Sequence, residues 1–272
     1  LEIIRGIHKK TRDFLVKLTA SCNPLGYMDG GYFYGNLKPE ESIKKNVSLM
    51  TWSLGVTSLN NLQELYNGKT LEEDSEFAYK TLKYIETFVK EAKKKDGLLY
   101  SIYGTPAESL CSRQADQFIK TFGEIKVANG EIIGKRGYFE NSWHCPVWKE
   151  ISLQEKIKTE YPFFHIGCGG RIFYYRINNS NNLVYIDQCV KAAMKVGFYY
   201  GVNLETSWCD SCGYRWNSHG EDTCPMCGET GNIVQVARIC GYLGYTRMPN
   251  STGDSTRVND GKMKEVLDRV VM

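Results

Sequence analysis

The residues best suited to chemistry lie between Cys209 and Gly244. Two Cys-x-x-Cys pairs, Cys209/Cys212 and Cys224/Cys227, are separated by eleven residues, and each is followed directly by a glycine, Gly213 and Gly228. Spacing of this kind reads as a zinc ribbon, in which a tight turn brings two thiolates to one side of a metal and a hairpin returns the other two. Four thiolates close the tetrahedral shell and leave no position for water, so a metal held there is structural rather than catalytic. Disulfide pairing and ordinary free thiols are the other readings of these cysteines, and other tetrahedral thiolate metals, iron included, share the spacing. A short spacer then leads to Arg238-Ile239-Cys240-Gly241-Tyr242-Leu243-Gly244. Taken alone, that stretch is a glycine-containing turn.

Further upstream, polar side chains gather at two candidate strand ends. In the segment 137–148, Asn141, Ser142, His144 and Cys145 cluster beside Pro146; in 163–177, His165 and Cys168 stand beside Gly167, Gly169 and Gly170. Ligands of α/β folds bind at the ends of parallel strands, and glycines let a backbone approach a ligand closely and offer it N–H groups. Asn141, Ser142, His144, His165, Gly169 and Gly170 are therefore the candidate substrate pocket. Each has a plainer reading as well, a hydrogen-bonded core histidine or a glycine bulge.

The elements that must position these groups follow from periodicity. Ile3, Ile4, Ile7, Phe14, Leu15 and Leu18 predict an amphipathic helix over 1–20. Residues 21–36 read as a loop, helical periodicity returns over about 40–66, and a helix is expected over about 72–95, stopped at Asp96-Gly97. Alternation over Leu98–Tyr103 predicts a strand that turns at Gly104-Thr105-Pro106 into a helix starting near Ala107. Strands are expected around 137–148 and 163–176, a helix over about 183–199, and a short strand before the cysteine pairs. Strands alternating with helices argue for an α/β architecture. The one composition shift falls near Ser207, which divides the chain into 1–206 and 207–272.

Bulk properties narrow the function classes. A chain of 272 residues with 42% hydrophobic and 24% charged residues has the composition of a globular protein with a full core. A formal net charge of +3 gives no electrostatic case for a nucleic-acid or membrane partner. Ten cysteines in a metal-type arrangement favour a reducing compartment, the cytoplasm, and no apolar run has the length of a membrane span. The first residue is Leu1 and falls within a helical pattern, so the chain is expected to be part of a longer polypeptide.

The tail adds a resemblance. Arg238-Ile239-Cys240-Gly241-Tyr242-Leu243-Gly244, following the cysteine pairs, and the closing Glu265-Val266-Leu267-Asp268-Arg269-Val270 resemble the C-terminus of the anaerobic, class III ribonucleoside-triphosphate reductases. NPLGYMDGGY (23–32), YGTPAESL (103–110), GYFENSWH (137–144) and HIGCGGRIFYY (165–175) resemble blocks of that family in the same order. The resemblance implies the second half of a ten-stranded α/β barrel of the glycyl-radical type, carrying a C-terminal zinc ribbon and glycyl radical loop. It implies that Gly241 stores the radical and that Cys209, Cys212, Cys224 and Cys227 hold zinc. Ribonucleoside triphosphates would be substrates, formate the reductant, a radical-SAM iron–sulfur enzyme the activator, and a homodimer the assembly. No direct nucleic-acid partner is implied.

The resemblance also marks what these residues lack. The family's thiyl cysteine and its regulatory ATP-cone lie upstream of the blocks found here, so the thiyl cysteine is expected before residue 1, and the chain alone is expected not to turn over. Cys22 does not match the thiyl motif, and the resemblance assigns no role to Cys145, Cys168 or Cys240. Other glycyl radical enzymes share an arginine-x-x-glycine-tyrosine loop but not a thiolate ribbon directly before it. A ribbon that binds nucleic acid would need a basic face, whereas Tyr214, Arg215 and Trp216 are accompanied by Glu221 and Asp222.

Overall fold

The structure is a computed structural model that describes residues 1–28, 30, 35–177, 181–217, 221–250 and 258–270. Parts of two sequence blocks, residues 29 and 31–34 of the glycine-rich loop and 251–257 and 271–272 of the tail, lie outside the described residues. In chain order the elements are α1 (Glu2–Leu15), α2 (Pro24–Tyr27), α3 (Lys44–Ser48), β1 (Thr51–Val56), α4 (Leu59–Asn67), α5 (Glu76–Asp96), β2 (Leu99–Gly104) and α6 (Glu108–Phe122). They continue with α7 (Leu153–Phe164), β3 (Phe173–Arg176), α8 (Leu183–Lys195), β4 (Tyr200–Asn203), β5 (Thr206–Cys209), β6 (Arg215–Asn217), β7 (Ile233–Arg238), β8 (Leu243–Arg247) and α9 (Asp260–Leu267). Among the described residues no helix is long and apolar enough to cross a membrane.

Contacts divide the chain into two compact units. The first comprises Leu1–Leu54 and Thr81–Tyr103. Here β1 pairs with β2, and Asp96 accepts both Arg5 Nε and Nη2 at 2.7 Å. That ion pair holds the Asp96 carboxyl down at about 2, the Arg5 guanidinium outweighing the opposing effect of burial.

The second unit, Gly55–Lys80 and Gly104–Met272, carries both groups of candidate residues. Its β3–α8–β4 segment is a parallel crossover in which Arg176 and Asn203 are register partners at the C-terminal ends of the strands. Phe164, Phe173, Tyr175, Ile177, Cys189, Ala193 and Phe198 pack into the core between helix and sheet. An antiparallel sheet of order β6-β5-β7-β8 follows, with Cys209 opposite Ile233 at one end of the β5–β7 pair and Thr206 opposite Val236 at the other.

Three expectations from periodicity need correction. Residues 40–66 are not one helical stretch, because Trp52 and Leu54 alternate with less buried neighbours and form β1 between α3 and α4. Segment 137–148 forms no strand: Gly137 and Ser142 take positive φ of 77° and 54°. Its backbone is satisfied by side chains, the Glu140 N–H donating to Asn61 Oδ1 at 2.8 Å and the Cys145 N–H to Glu160 Oε1 at 2.9 Å. The expected strand over 163–176 shrinks to β3, because Ser152 and Glu155 form a reciprocal capping box that starts α7, and α7 runs through Phe164.

Candidate functional site

The four cysteines of the ribbon converge. Their sulfurs all lie within 4.8 Å of one another, with Cys209–Cys227 and Cys212–Cys224 Sγ separations of 3.7 Å. A tetrahedron with metal–sulfur bonds of about 2.3 Å has edges of about 3.8 Å, whereas a disulfide would need about 2.05 Å. All ten cysteines are free thiols. The metal reading therefore fits these side chains and the disulfide reading does not.

Each pair sits on the same backbone device. Gly213 N–H donates to the Cys209 carbonyl at 2.8 Å and Gly228 N–H to the Cys224 carbonyl at 2.9 Å, and both glycines have φ near 75°. That positive φ explains why glycine follows each pair. Cys209 and Cys224 are buried against Ile233 and Trp216, while Cys212 and Cys227 are exposed.

At the far end of β7 the chain turns through Ile239, Cys240, Gly241 and Tyr242 into β8, closed by Ile239 N–H to the Tyr242 carbonyl at 2.9 Å. Ile239 and Cys240 are buried with Ala237 and Val266, whereas Gly241 and Tyr242 are exposed. The two glycines of the turn differ. A Cβ on Gly244 would lie 2.6 Å from Ile239 Cγ1, so that position has no room for a side chain. A Cβ on Gly241 would meet no described atom within 4 Å, and its φ lies outside the left-handed region. Within this unit, neither space nor backbone conformation requires glycine at 241.

Behind the turn is a cavity of about 30 Å³, room for one or two waters. Its wall includes the C-terminal ends of the parallel strands, Arg176 and Asn203, together with Asn141, His144, Cys145, Cys240 and the cations Lys156, Arg238, Lys262 and Arg269. Two buried carboxylates balance part of this charge. Glu265 pairs with Lys262 at 2.6 Å and receives Arg269 through both nitrogens at 3.0 and 3.1 Å. Burial alone would raise its carboxyl, but Arg269 and Lys262 outweigh that and hold it at about 2. Glu160 is likewise held at about 2, burial being outweighed by Lys156 and by His144, whose Nδ1 lies 3.2 Å away.

Two groups in the wall stay unbalanced. Arg176 donates Nε to the Val270 carbonyl, leaves Nη2 without a partner among the described residues, and is drawn down to about 10 by burial and then by Arg269. Glu140 accepts Trp148 Nε1 at 2.8 Å through one oxygen, leaves the other unpartnered, and has its carboxyl pushed up by burial. It also raises neighbouring Glu64, whose carboxyl burial already lifts, to about 8.

The cations reach the turn directly. Arg269 donates to the carbonyl of Arg238 and, at 3.4 Å, to that of Ile239; the Cys240 carbonyl accepts Arg238 Nε at 2.8 Å and the Tyr174 hydroxyl at 3.4 Å. The closing hexapeptide thus has a structural use at every position but the exposed Leu267. Glu265 fixes Arg269, Val266 packs under Cys240, Asp268 accepts the Tyr138 hydroxyl at 2.9 Å, and Val270 N–H donates to the Val147 carbonyl at 2.9 Å.

Of the pocket residues expected from sequence, Asn141 and His144 line this cavity. Ser142 is buried elsewhere, packed so tightly on Gly104 that a Cβ there would lie 2.0 Å from its Oγ; the Gly104 N–H in turn donates to the Gly170 carbonyl at 3.0 Å. His165 is exposed after α7, its ring edge-on to Tyr161 at 4.6 Å, and Gly169 and Gly170 are exposed in the same turn. None of these three lines the cavity. Sequence reading had not marked Tyr174, Arg176, Asn203, Arg238, Glu265 or Arg269 as site residues. Only the Glu265/Arg269 spacing, one helical turn apart, carried a readable signal.

Comparison with known proteins agrees with this picture. The family model described as anaerobic ribonucleoside-triphosphate reductase matches residues 1–271. Proteins named anaerobic ribonucleoside-triphosphate reductase from Enterobacteria phage T4 and Haemophilus influenzae are each 30% identical, over 264 and 265 residues. Both matches cover 92% of this chain but only 40% and 35% of the relatives. The fold is similar to a solved anaerobic ribonucleotide reductase, with a TM-score of 0.61 at 20% identity over 85% of this chain and 36% of that one. It is also similar to the Thermotoga maritima enzyme with dATP bound in the specificity site, with a TM-score of 0.57 at 20% identity over 78% and 35% of the two chains.

Proposed function

The chain belongs to the anaerobic ribonucleoside-triphosphate reductase family, and from that premise we propose that it is the radical-storing part of an enzyme that reduces ribonucleoside triphosphates to 2′-deoxyribonucleoside triphosphates. The chain spans two fifths or less of the curated relatives, so the remaining barrel and its thiyl cysteine belong to a complementary segment. The observation that carries the reading is Gly241 itself. It is a glycine at an exposed hairpin tip where neither the described atoms nor the backbone conformation asks for one, held by a cationic clamp.

Chemistry supplies the missing reason for that glycine. Loss of a Cα hydrogen atom leaves a radical between an electron-donating amide nitrogen and an electron-withdrawing carbonyl. Without a side chain the centre can flatten, and a thiol can reach it. In this scheme the complementary segment's cysteine, as a thiyl radical, removes the ribose 3′ hydrogen and the 2′ hydroxyl leaves as water. Formate supplies two electrons and departs as carbon dioxide, and Gly241 takes the radical back between turnovers. A radical-SAM activating enzyme makes the first abstraction.

The residues of this chain bind, orient and exclude water. Cys209, Cys212, Cys224 and Cys227 would hold a structural zinc, whose contribution is rigidity at the end of β7 remote from Gly241. Asn141, Ser142, His144, His165, Gly169 and Gly170 remain the proposed substrate surface, completed by the complementary segment. The same reading gives residues 1–206 as the second half of a ten-stranded barrel, residues 207–272 as ribbon and radical domain, and a cytoplasmic homodimer as the working enzyme.

The test is reconstitution. The chain is mixed anaerobically with the complementary segment, activating enzyme, formate and ribonucleoside triphosphates, and deoxynucleotides are quantified. Product that requires both segments and formate is expected. A mixture with bound zinc, both segments folded and associated, and no product would contradict the proposal.

A further inference from the structure

We propose that Arg238 is the positioning residue of the Gly241 turn, and that Gly201 is the notch that lets it act. The consequence for the radical rests on the reading of Gly241 given above; the positioning itself rests only on geometry.

Three successive carbonyls at the end of β7 are held by guanidinium groups. Arg269 takes those of Arg238 and Ile239, and Arg238 takes that of Cys240. The next residue, Gly241, is exposed, and a Cβ there would meet no described atom within 4 Å. Restraint therefore reaches the peptide that enters Gly241, the residue proposed to react, and leaves its Cα open.

Arg238 is itself confined on every side the structure describes. Its guanidinium carbon lies 4.2 Å over the Tyr174 ring, and Nη1 lies 3.5 Å from Asn203 Oδ1. Tyr174 and Gly201 are register partners on β3 and β4, and the guanidinium occupies the space above Gly201. A Cβ on Gly201 would fall 1.8 Å from Nη1, 2.8 Å from Cζ and 3.0 Å from Nη2. A rigid planar group cannot give way there as a flexible chain end would. Gly201 has no positive φ to explain it, so its reason for being glycine is this guanidinium.

The held carbonyl matters because of its position. The Cys240 carbonyl and the Gly241 nitrogen are one amide. Charge-assisted donation to that oxygen strengthens the amide's double-bond character and fixes its plane. A radical on the Gly241 Cα must share that plane to spread over the nitrogen. Arg238 thus presets one of the two planes the radical needs, while the freedom of Gly241 leaves the hydrogen open to attack.

The chain contains four Cys-Gly steps, at 168–169, 212–213, 227–228 and 240–241. Labelling cysteine carbonyls with ¹³C and glycine nitrogens with ¹⁵N therefore gives one cross-peak per step, the last assigned by its loss in Gly241→Ala. In Arg238→Gln the 240 carbonyl is expected to move upfield, as it loses one charge-assisted hydrogen bond. The 168–169 peak stays in place and reports the fold around β3, and the two ribbon peaks report an intact knot. Gly201→Ala should reproduce the effect with the arginine still present, and Arg238→Lys should restore part of it. Should Arg238→Gln lose the three control peaks, Gly201→Ala and Arg238→Lys, which keep a cation, decide the matter.

With activating enzyme, radical per chain is expected to fall about tenfold in Gly201→Ala and to recover partly in Arg238→Lys relative to Arg238→Gln. A 240–241 peak that neither Arg238→Gln nor Gly201→Ala moves would overturn the positioning role. A wild-type chain that shows the carbonyl effect yet takes no radical would instead establish the positioning role and overturn the reading of Gly241.

Discussion

The four-cysteine knot and the Gly241 turn stand at opposite ends of one strand, β7, and are built in opposite ways. Ile233 at the start of β7 pairs with Cys209, and Arg238 at its end leads into the turn, a separation of about 17 Å at the rise of an extended strand. All four ligands of the knot fall between residues 209 and 227, whereas the wall behind the turn draws on residues from Pro106 to Arg269. The knot is a local device, specified by cysteine spacing and two positive-φ glycines. The turn is a long-range one, held by arginines that other elements orient. Thiolates and metal can fix the first without the rest of the fold; the second exists only when β3, β4, β7 and α9 are all in place.

The sharpest way to separate the two is to remove the metal. Chelation, or Cys224→Ser, should cost on the order of 10 kcal/mol of local folding free energy and disorder β5 and β6, while the β3–α8–β4 core persists. Amide exchange read separately for Trp208 and Tyr175 checks this. Equal loss of protection at both would mean that the knot and the β3–α8–β4 core fold as one.

The converse experiment breaks the clamp. Arg269→Gln leaves buried Glu265 with Lys262 alone and frees two carbonyls, so a loss of about 3–5 kcal/mol is expected in urea unfolding, with metal stoichiometry unchanged. Metal loss in this variant would join the two regions that the comparison holds apart.

Within the turn, two glycines refine the contrast. Gly244→Ala forces a methyl against Ile239 and should cost about 2 kcal/mol, whereas Gly241→Ala should change stability by no more than about 0.5 kcal/mol. Equal costs at the two positions would remove the case that Gly241 is there for chemistry.

The smallest expected effect concerns pH. The Glu64 carboxyl is raised from 4.5 to about 8 by burial and then by Glu140, so its stabilising contribution is complete below pH 4.5 and is lost as pH rises through 8. Between pH 7 and 8 the second unit should lose about 1 kcal/mol, and Glu64→Gln should flatten that dependence. A slope unchanged in the variant would assign it to other groups.

How much of this was legible in the sequence follows the same division. The knot could be read from spacing because its geometry is set by residues a few positions apart. Helices such as α5 and α6 could be read from periodicity and stop signals, and the mixed α/β class from their alternation with strands. The irregular segment 137–148 was misread as a strand, because its aromatic and β-branched residues suit a sheet while its hydrogen bonds go to Asn61 and Glu160, which no local pattern announces. The notch at Gly201 has no sequence signal at all. It exists only because β4 lies beside β3, and β7 delivers Arg238 above both.

The central claim is that Gly241 carries an unpaired electron, and anaerobic EPR tests it most directly. The chain is incubated with activating enzyme, S-adenosylmethionine and a reductant, with and without the complementary segment, and Gly241→Ala serves as the control. The expected result is a doublet from one α-hydrogen, absent in the Ala variant, with backbone cleavage at 241 when the wild-type sample meets air. Folded, zinc-loaded protein that gives no signal in either tube, or a signal that survives in Gly241→Ala, would contradict it.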